Sequence, residues 1–175
     1  MAINPIPERT INYRVYDDAN NVIGIATVDL PDLEAMTDTI SGAGIAGEID
    51  SPVLGHFGSL TLTINWRTIT GDAARLNAQR VHALEFRSSQ QINDAGQGSL
   101  STQPVRIVTR CIPKNFSMGS LEVGATTDSS SEFEVIYIKI FIDGREVLEL
   151  DKYNFKFVVN GQDFLRSARR DMGME

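Results

Sequence analysis

Ser131-Glu-Phe-Glu-Val-Ile-Tyr-Ile-Lys-Ile-Phe-Ile-Asp-Gly-Arg-Glu-Val-Leu-Glu-Leu-Asp151 holds two apolar runs on either side of Asp143-Gly144. Both central residues of a type I′ turn need φ > 0, which Asp and Gly tolerate, so the dipeptide predicts a tight β-hairpin. Strict alternation along the first arm puts Ile136, Ile138, Ile140 and Ile142 on one face and Phe133, Val135, Tyr137 and Phe141 on the other. A solvated antiparallel sheet normally keeps one wet face, so an arm that is apolar on both sides needs a second cover. A neighbouring subunit is one such cover, and the interior of an ordinary sandwich is the other.

Upstream, Ile11–Tyr16 and Val22–Val28 read as strands around the turn formers Asp17-Asp18-Ala19-Asn20-Asn21, a second hairpin. Leu33–Ile40 fits either strand or helix, and glycine-rich Ser41–Gly58, interrupted by Pro52, predicts an extended loop with a short strand near Glu48–Ser51. Ser59–Thr70 alternates Leu60, Leu62, Ile64 and Trp66 with Thr61, Thr63, Asn65 and Arg67, the pattern of a half-buried strand. Ala73–Gln79 suits a short helix, Val81–Ser89 and Val105–Met118 are further strands, and polar Asn93–Thr102 and Ala125–Ser131 predict mobile loops. After the hairpin, Asp163 precedes Phe164, Leu165 and Ala168, with Arg166, Arg169 and Arg170 placed to favour the C-terminus of a brief helix. The sum is a mainly β protein: an antiparallel β-sandwich or barrel with one short internal helix and a short C-terminal helix, in a single domain over 1–175.

A chain of 175 residues builds a sizeable core without disulfide staples, and Cys111, its one cysteine, leaves no internal pair to form. The start, Met1-Ala-Ile-Asn-Pro-Ile-Pro-Glu-Arg9, lacks the basic and apolar regions of a secretion signal, so synthesis in the cytosol is expected. A formal charge of −7 argues against affinity for the nucleic-acid backbone, which depends on Lys and Arg displacing counterions.

Reactive chemistry finds little support. Gly42-Ala-Gly-Ile-Ala-Gly47 has dinucleotide-loop spacing, but Glu48 and Asp50 follow where phosphates would lie, and Pro52 blocks a regular helix. A flexible, close-packing glycine loop is the better reading. Cys111 lies in the alternating run Val105, Ile107, Thr109, Cys111 as a small strand residue, and neither His56 nor His82 has a second ligand at zinc spacing. Asp17, Asp18, Asp29 and Asp32 read as turn residues rather than a calcium loop. The expectation is no catalytic, cofactor or metal site and no small-molecule substrate, with function residing in surface and assembly.

Three regions carry a family likeness: Tyr137-Ile-Lys-Ile-Phe-Ile-Asp-Gly-Arg-Glu-Val-Leu-Glu-Leu-Asp151; Val158-Val-Asn-Gly-Gln-Asp-Phe-Leu-Arg-Ser-Ala-Arg169; and Val28-Asp-Leu-Pro-Asp-Leu33 leading to Leu62-Thr-Ile-Asn-Trp66. In these blocks the sequence resembles the major tail tube proteins of contractile phage tails, the P2-like tube family. The resemblance implies a subunit that closes into hexameric rings, the rings stacking into a hollow inner tube. It also implies that the partners are further copies of the chain, a sheath, a baseplate and a tail terminator, and that DNA passes without specific binding. Its place would be the virion, after synthesis in the bacterial host cytoplasm.

On this reading Gly42, Gly44, Gly47, Tyr137, Ile138 and Ile140 are candidate interface residues. Thr61, Thr63 and Asn65, with Glu48 and Asp50, are candidate lumen residues whose acidity repels phosphate within the ~8 Å screening length of physiological salt. The tube of a genome-free tailocin or contractile injection particle is the near alternative. A non-catalytic β-sandwich adaptor or binding module is the alternative of a different class, and it would stay small in solution.

Overall fold

The structure, a computed structural model, describes residues 4–17, 21–23 and 26–174. In chain order the elements are β1 (Pro5–Asp17), β2 (Val22–Ile23), β3 (Ala26–Asp29), β4 (Ala35–Ile40), β5 (Ile49–Phe57), β6 (Thr61–Trp66), α1 (Gly71–Leu76), β7 (His82–Asp94), β8 (Ser99–Ser117), β9 (Ser129–Ile142), β10 (Arg145–Asp151), β11 (Lys156–Val159), β12 (Gln162–Asp163) and α2 (Arg166–Asp171). Ten strands join in one antiparallel sheet whose path runs β12-β11-β10-β9-β8-β7-β1-β2, with β6 on β9 and β3 on β6; β4 and β5 form a sheet of their own. The protein is mainly β with two short helices, as the sequence predicts.

Strand β9 organises this arrangement. Asp143 and Gly144 have φ of 50° and 74°, so the predicted turn forms and returns the chain as β10. Along one edge β9 pairs with β8; along the other, Ser129–Glu134 pairs with β6 and Tyr137–Ile142 with β10. The exchange of partners coincides with a bulge. Arg110 lies opposite Tyr137 and Cys111 opposite Val135, which leaves Ile136 as an extra residue. Its carbonyl accepts from the Lys152 N–H at 3.1 Å, while the Val135 N–H donates to the Leu60 carbonyl at 2.8 Å. An inserted residue shifts side-chain phase by one, so Phe133, Val135 and Ile138 all enter the same core and Ile140 packs against it. The predicted division of the arm into two strictly alternating faces is thereby corrected: Phe133 and Val135 share the face of Ile138 and Ile140.

That core gathers Leu62, Ile64 and Trp66 from β6 with Val15, Ile23, Leu84, Phe86, Cys111 and Leu150 from the main sheet. Each large apolar side chain so buried contributes about 1.5–3 kcal/mol. The Trp66 Nε1–H donates to Ser131 Oγ at 3.0 Å, so the indole brings no orphan donor inside. Helix α1 covers one end with Ala73 and Leu76, and Thr70 caps it by accepting the Ala73 N–H at 3.1 Å. It starts earlier and ends earlier than the predicted span of 73–79.

Three further expectations change. The predicted strand Val22–Val28 divides: β2 pairs with β1, whereas β3 pairs with β6. The predicted turn residues Asp18, Ala19 and Asn20 lie outside the described residues. Leu33–Ile40 resolves as strand β4 from Ala35 on, and half of the expected loop 41–58 is its partner β5, which extends the short strand expected near Glu48–Ser51. Strands β7 and β8 continue to Asp94 and from Ser99, so the expected loop 93–102 is mainly a paired hairpin end. It lacks the usual apolar alternation because this end has little core behind it.

Candidate assembly surfaces

The β4–β5 hairpin is an arm. Every residue of β4 is exposed, and Met36, Ile40, Ile49, Val53 and Leu54 present large apolar groups to solvent. Gly42, Gly44 and Gly47 make its tip, where Ile45 N–H donates to the Gly42 carbonyl at 3.2 Å and Gly44 and Gly47 take φ of 95° and 119°. A strand–loop–strand tip has no helix N-terminus to hold a pyrophosphate, which removes the dinucleotide reading. The base is fixed by Gly58 N–H to the Glu34 carbonyl at 3.0 Å and by Phe57 against Phe157, with ring centroids 5.0 Å apart. Gly55, at φ 74°, lies so close to the Leu165 side chain that a Cβ there would occupy the same space.

A second projection is the three-stranded end formed by Pro5–Asn12 of β1, Ser89–Asp94 of β7 and Ser99–Pro104 of β8. Pairing of β8 with β9 begins only at Val105, and β2 covers β1 only at Val15 and Tyr16, so both edges of this blade are open. Pro5, Pro7 and the extra residues Glu8 and Ile11 blunt part of the β1 edge, a common guard against indiscriminate pairing. Ile6, Ile11 and Leu100 are exposed here.

The predicted lumen residues fall in two places. Thr61, Thr63 and Asn65 share the outward face of β6, and Asp29 of β3 with Glu132 and Glu134 of β9 flank them in register. Asn65 Nδ2 donates to Asp29 at 2.9 Å, and Lys114 Nζ to Thr61 Oγ1 at 3.2 Å. Glu48 and Asp50 instead lie on the separate β4–β5 arm, where Thr39 Oγ1 donates to Asp50 at 2.8 Å. Glu134 also accepts from Lys152 Nζ at 3.1 Å and from the Leu60 N–H at 3.2 Å. Burial works to raise its pKa, and the Ser59 and Lys152 hydrogen bonds outweigh that and hold it below the usual carboxylate value.

Of the predicted interface residues on β9, Ile138 is 3% exposed and spends its surface within the chain. Ile140 is half-buried on the same side. Tyr137 faces outward, half-buried, and donates to Glu149 at 3.1 Å; burial first and the adjacent Glu149 second push its pKa up to about 12. Around it lies a pattern the sequence reading missed. Arg87, Arg106 and Arg110 stand over the rings of Tyr16, Phe141 and Tyr137 at 4.5, 4.2 and 5.4 Å, and Lys139 pairs with Glu146 at 2.6 Å. Each strand shows its own share of these charges, but their meeting depends on register across β1, β7, β8 and β9.

The residues weighed for catalysis make packing and backbone contacts. Cys111 and His82 are cross-strand neighbours, yet the Cys111 thiol lies 3.6 Å from the His82 backbone carbonyl, and His82 Nε2 is 2.9 Å from the Ala78 carbonyl. Burial pushes the Cys111 pKa up to about 12, far from a thiolate nucleophile. His56 packs edge-on against Phe155. Among the described residues no group of three or more His, Cys, Asp or Glu is placed to hold a metal ion.

A sheet scaffold that holds out two projections with exposed apolar side chains has surfaces suited to contact with other chains. The profile of the phage tail tube protein FII family matches residues 7–173, and the chain belongs to the phage tail tube protein family. It is therefore a structural component of a tail tube and so of a virion. It is 26% identical to the tail tube protein of Escherichia phage P2 over 176 residues, an alignment that takes in 97% of this chain and 99% of that relative.

Proposed function

We propose that this chain, acting as one unit over 1–175, is the subunit of the inner tube of a contractile tail. Hexameric rings stack into a hollow conduit for DNA or effector, with sheath, baseplate and terminator as further partners. It performs no catalysis and is made in the host cytoplasm before assembly. The observation that carries the reading is the family match along nearly the whole chain.

Physical support comes from the surfaces. The β4–β5 arm, with Gly42, Gly44 and Gly47 at its tip, and the open edges of the blade are the seams, while Tyr137 and Ile140 flank them on β9 and Ile138 acts from inside. Edge pairing and buried apolar area supply most of the adhesion, since exposed ion pairs contribute only ~0–1 kcal/mol each. Thr61, Thr63 and Asn65 line the bore with the carboxylates beside them, while Glu48 and Asp50, on the separate β4–β5 arm, belong with the seams. Two different patches meeting head to tail form rings or filaments rather than closed pairs.

Electron microscopy of the purified protein tests this. Six-fold rings or tubes of constant bore are expected. Compact single particles at all concentrations, together with another polypeptide forming the conduit in intact tails, would sink it.

A further inference from the structure

The net charge of −7 is unevenly placed. From Val15 to Trp66 there is no Lys or Arg, while Glu34, Asp38, Glu48 and Asp50 all belong to the β4–β5 arm or its base. The outward face of the main sheet carries Glu85 and Glu146, and also an aligned run of arginines. Arg14 lies opposite Arg87, Arg87 opposite Arg106, and Arg106 opposite Phe141, one transverse row across β1, β7, β8 and β9.

Neighbouring strands are about 4.8 Å apart, and like charges set directly opposite destabilise a sheet. Glu85 is the carboxylate that answers the row, at 2.5 Å from Arg87 and 3.9 Å from Arg106. Arg14 forms no ion pair among the described residues. The Arg87 and Arg106 side chains remain 48% and 46% exposed. Beside them opens a depression of about 290 Å³ lined by Asn12, Arg14, Tyr16, Arg87 and Ser89. The row is therefore short of negative charge, accessible, and backed by aromatic rings.

We infer that this arginine row is the seat for the acidic β4–β5 arm of a second copy of the chain. The inference rests on the tube reading and names the surface that the arm meets. Asp38, Glu48 and Asp50 supply the missing charge, and Ile40 and Ile49 supply apolar surface for Tyr16 and Phe141. The chain's own arm is pinned against Phe157 of β11, and β10 and β9 lie between that strand and the arginine-bearing strands β8, β7 and β1 in the sheet. A separate copy is thus the natural donor. Arm and seat are different patches, so each docked copy offers a fresh arm and growth has a direction. Opposite charge also steers the encounter, which makes the rate of growth sensitive to salt.

Two sets of substitutions test the contact: Asp38→Lys, Glu48→Lys and Asp50→Lys on the arm, and Arg14→Glu, Arg87→Glu and Arg106→Glu on the seat. Circular dichroism checks folding, with Arg→Gln changes at the same three positions as the milder seat variant. Light scattering at low salt is expected to show growth slowed at least tenfold by either set and restored in a chain carrying both. Sedimentation velocity reads the contact without tubes: arm-reversed and seat-reversed chains associate when mixed but not alone. Wild-type growth rates in both single sets, or no rescue in the combined chain, overturn the inference while wild-type tubes keep the tube reading intact. Absence of wild-type rings and tubes defeats the tube reading, and the mixing experiment then decides the arm contact separately. Loss of binding to a short DNA duplex by the seat variant, with assembly unchanged, assigns the row to a polyanion and also overturns it.

Discussion

Gly55 shows how much one missing side chain can decide. Its φ of 74° suits glycine, and the Leu165 side chain fills the place of a Cβ, so the arm's base and the segment entering α2 close on each other only with glycine there. Gly55→Ala is expected to cost about 1–3 kcal/mol, read as a lower urea midpoint with an unchanged m-value. Cys111 offers a complementary test. With the thiol fully buried and its pKa raised by burial to about 12, iodoacetamide should label it only in denaturant, as mass spectrometry will show. Asp163 reports on acid. The Arg169 hydrogen bond holds its carboxyl below the ordinary value of 3.8 against the opposing effect of burial. Its contribution is therefore present above the unfolded pKa and is lost as pH falls through the lower folded value. Thermal midpoints should drop on acidification below about pH 4, and Asp163→Asn should flatten that part of the profile.

At the scale of the element, β9 separates what the residues announce from what pairing decides. Ile138→Asp puts a carboxylate into the core and is expected to prevent folding, whereas Ile40→Asp on the exposed arm should leave the circular dichroism spectrum intact. Local rules read the Asp143-Gly144 turn and the alternation of β6 correctly, because one is set by backbone sterics and the other by a core behind one face. The bulge at Ile136 was not legible, since it exists to let β9 leave β6 for β10, and that choice is made by residues far away in sequence. In sequence the arm has the look of a loop because glycine and Pro52 lower strand propensity, yet its backbone pairs regardless. Asn160-Gly161, with φ of 50° and 82°, repeats the turn logic of Asp143-Gly144 and joins β11 to β12. Of the candidate site, the tip glycines and the polar face of β6 were legible from local pattern, while the arginine row required knowledge of register.

For the whole molecule, the decisive property is that its projections lie uncovered in the single chain. Replacing Ile40 and Ile49, which are paired across β4 and β5, with Asp is expected to yield folded, soluble protein that forms no tubes. Gel filtration and micrographs of the same sample check both halves of that outcome. The shared strand carries a mechanical implication too. Because β9 is hydrogen-bonded to β8 along one edge and to β6 and β10 along the other, a force pulling lengthwise between these strands loads many rungs at once in shear. A wall of such subunits would resist stretching far better than it resists peeling, so rupture under tension would begin where one molecule touches the next, leaving each folded chain whole.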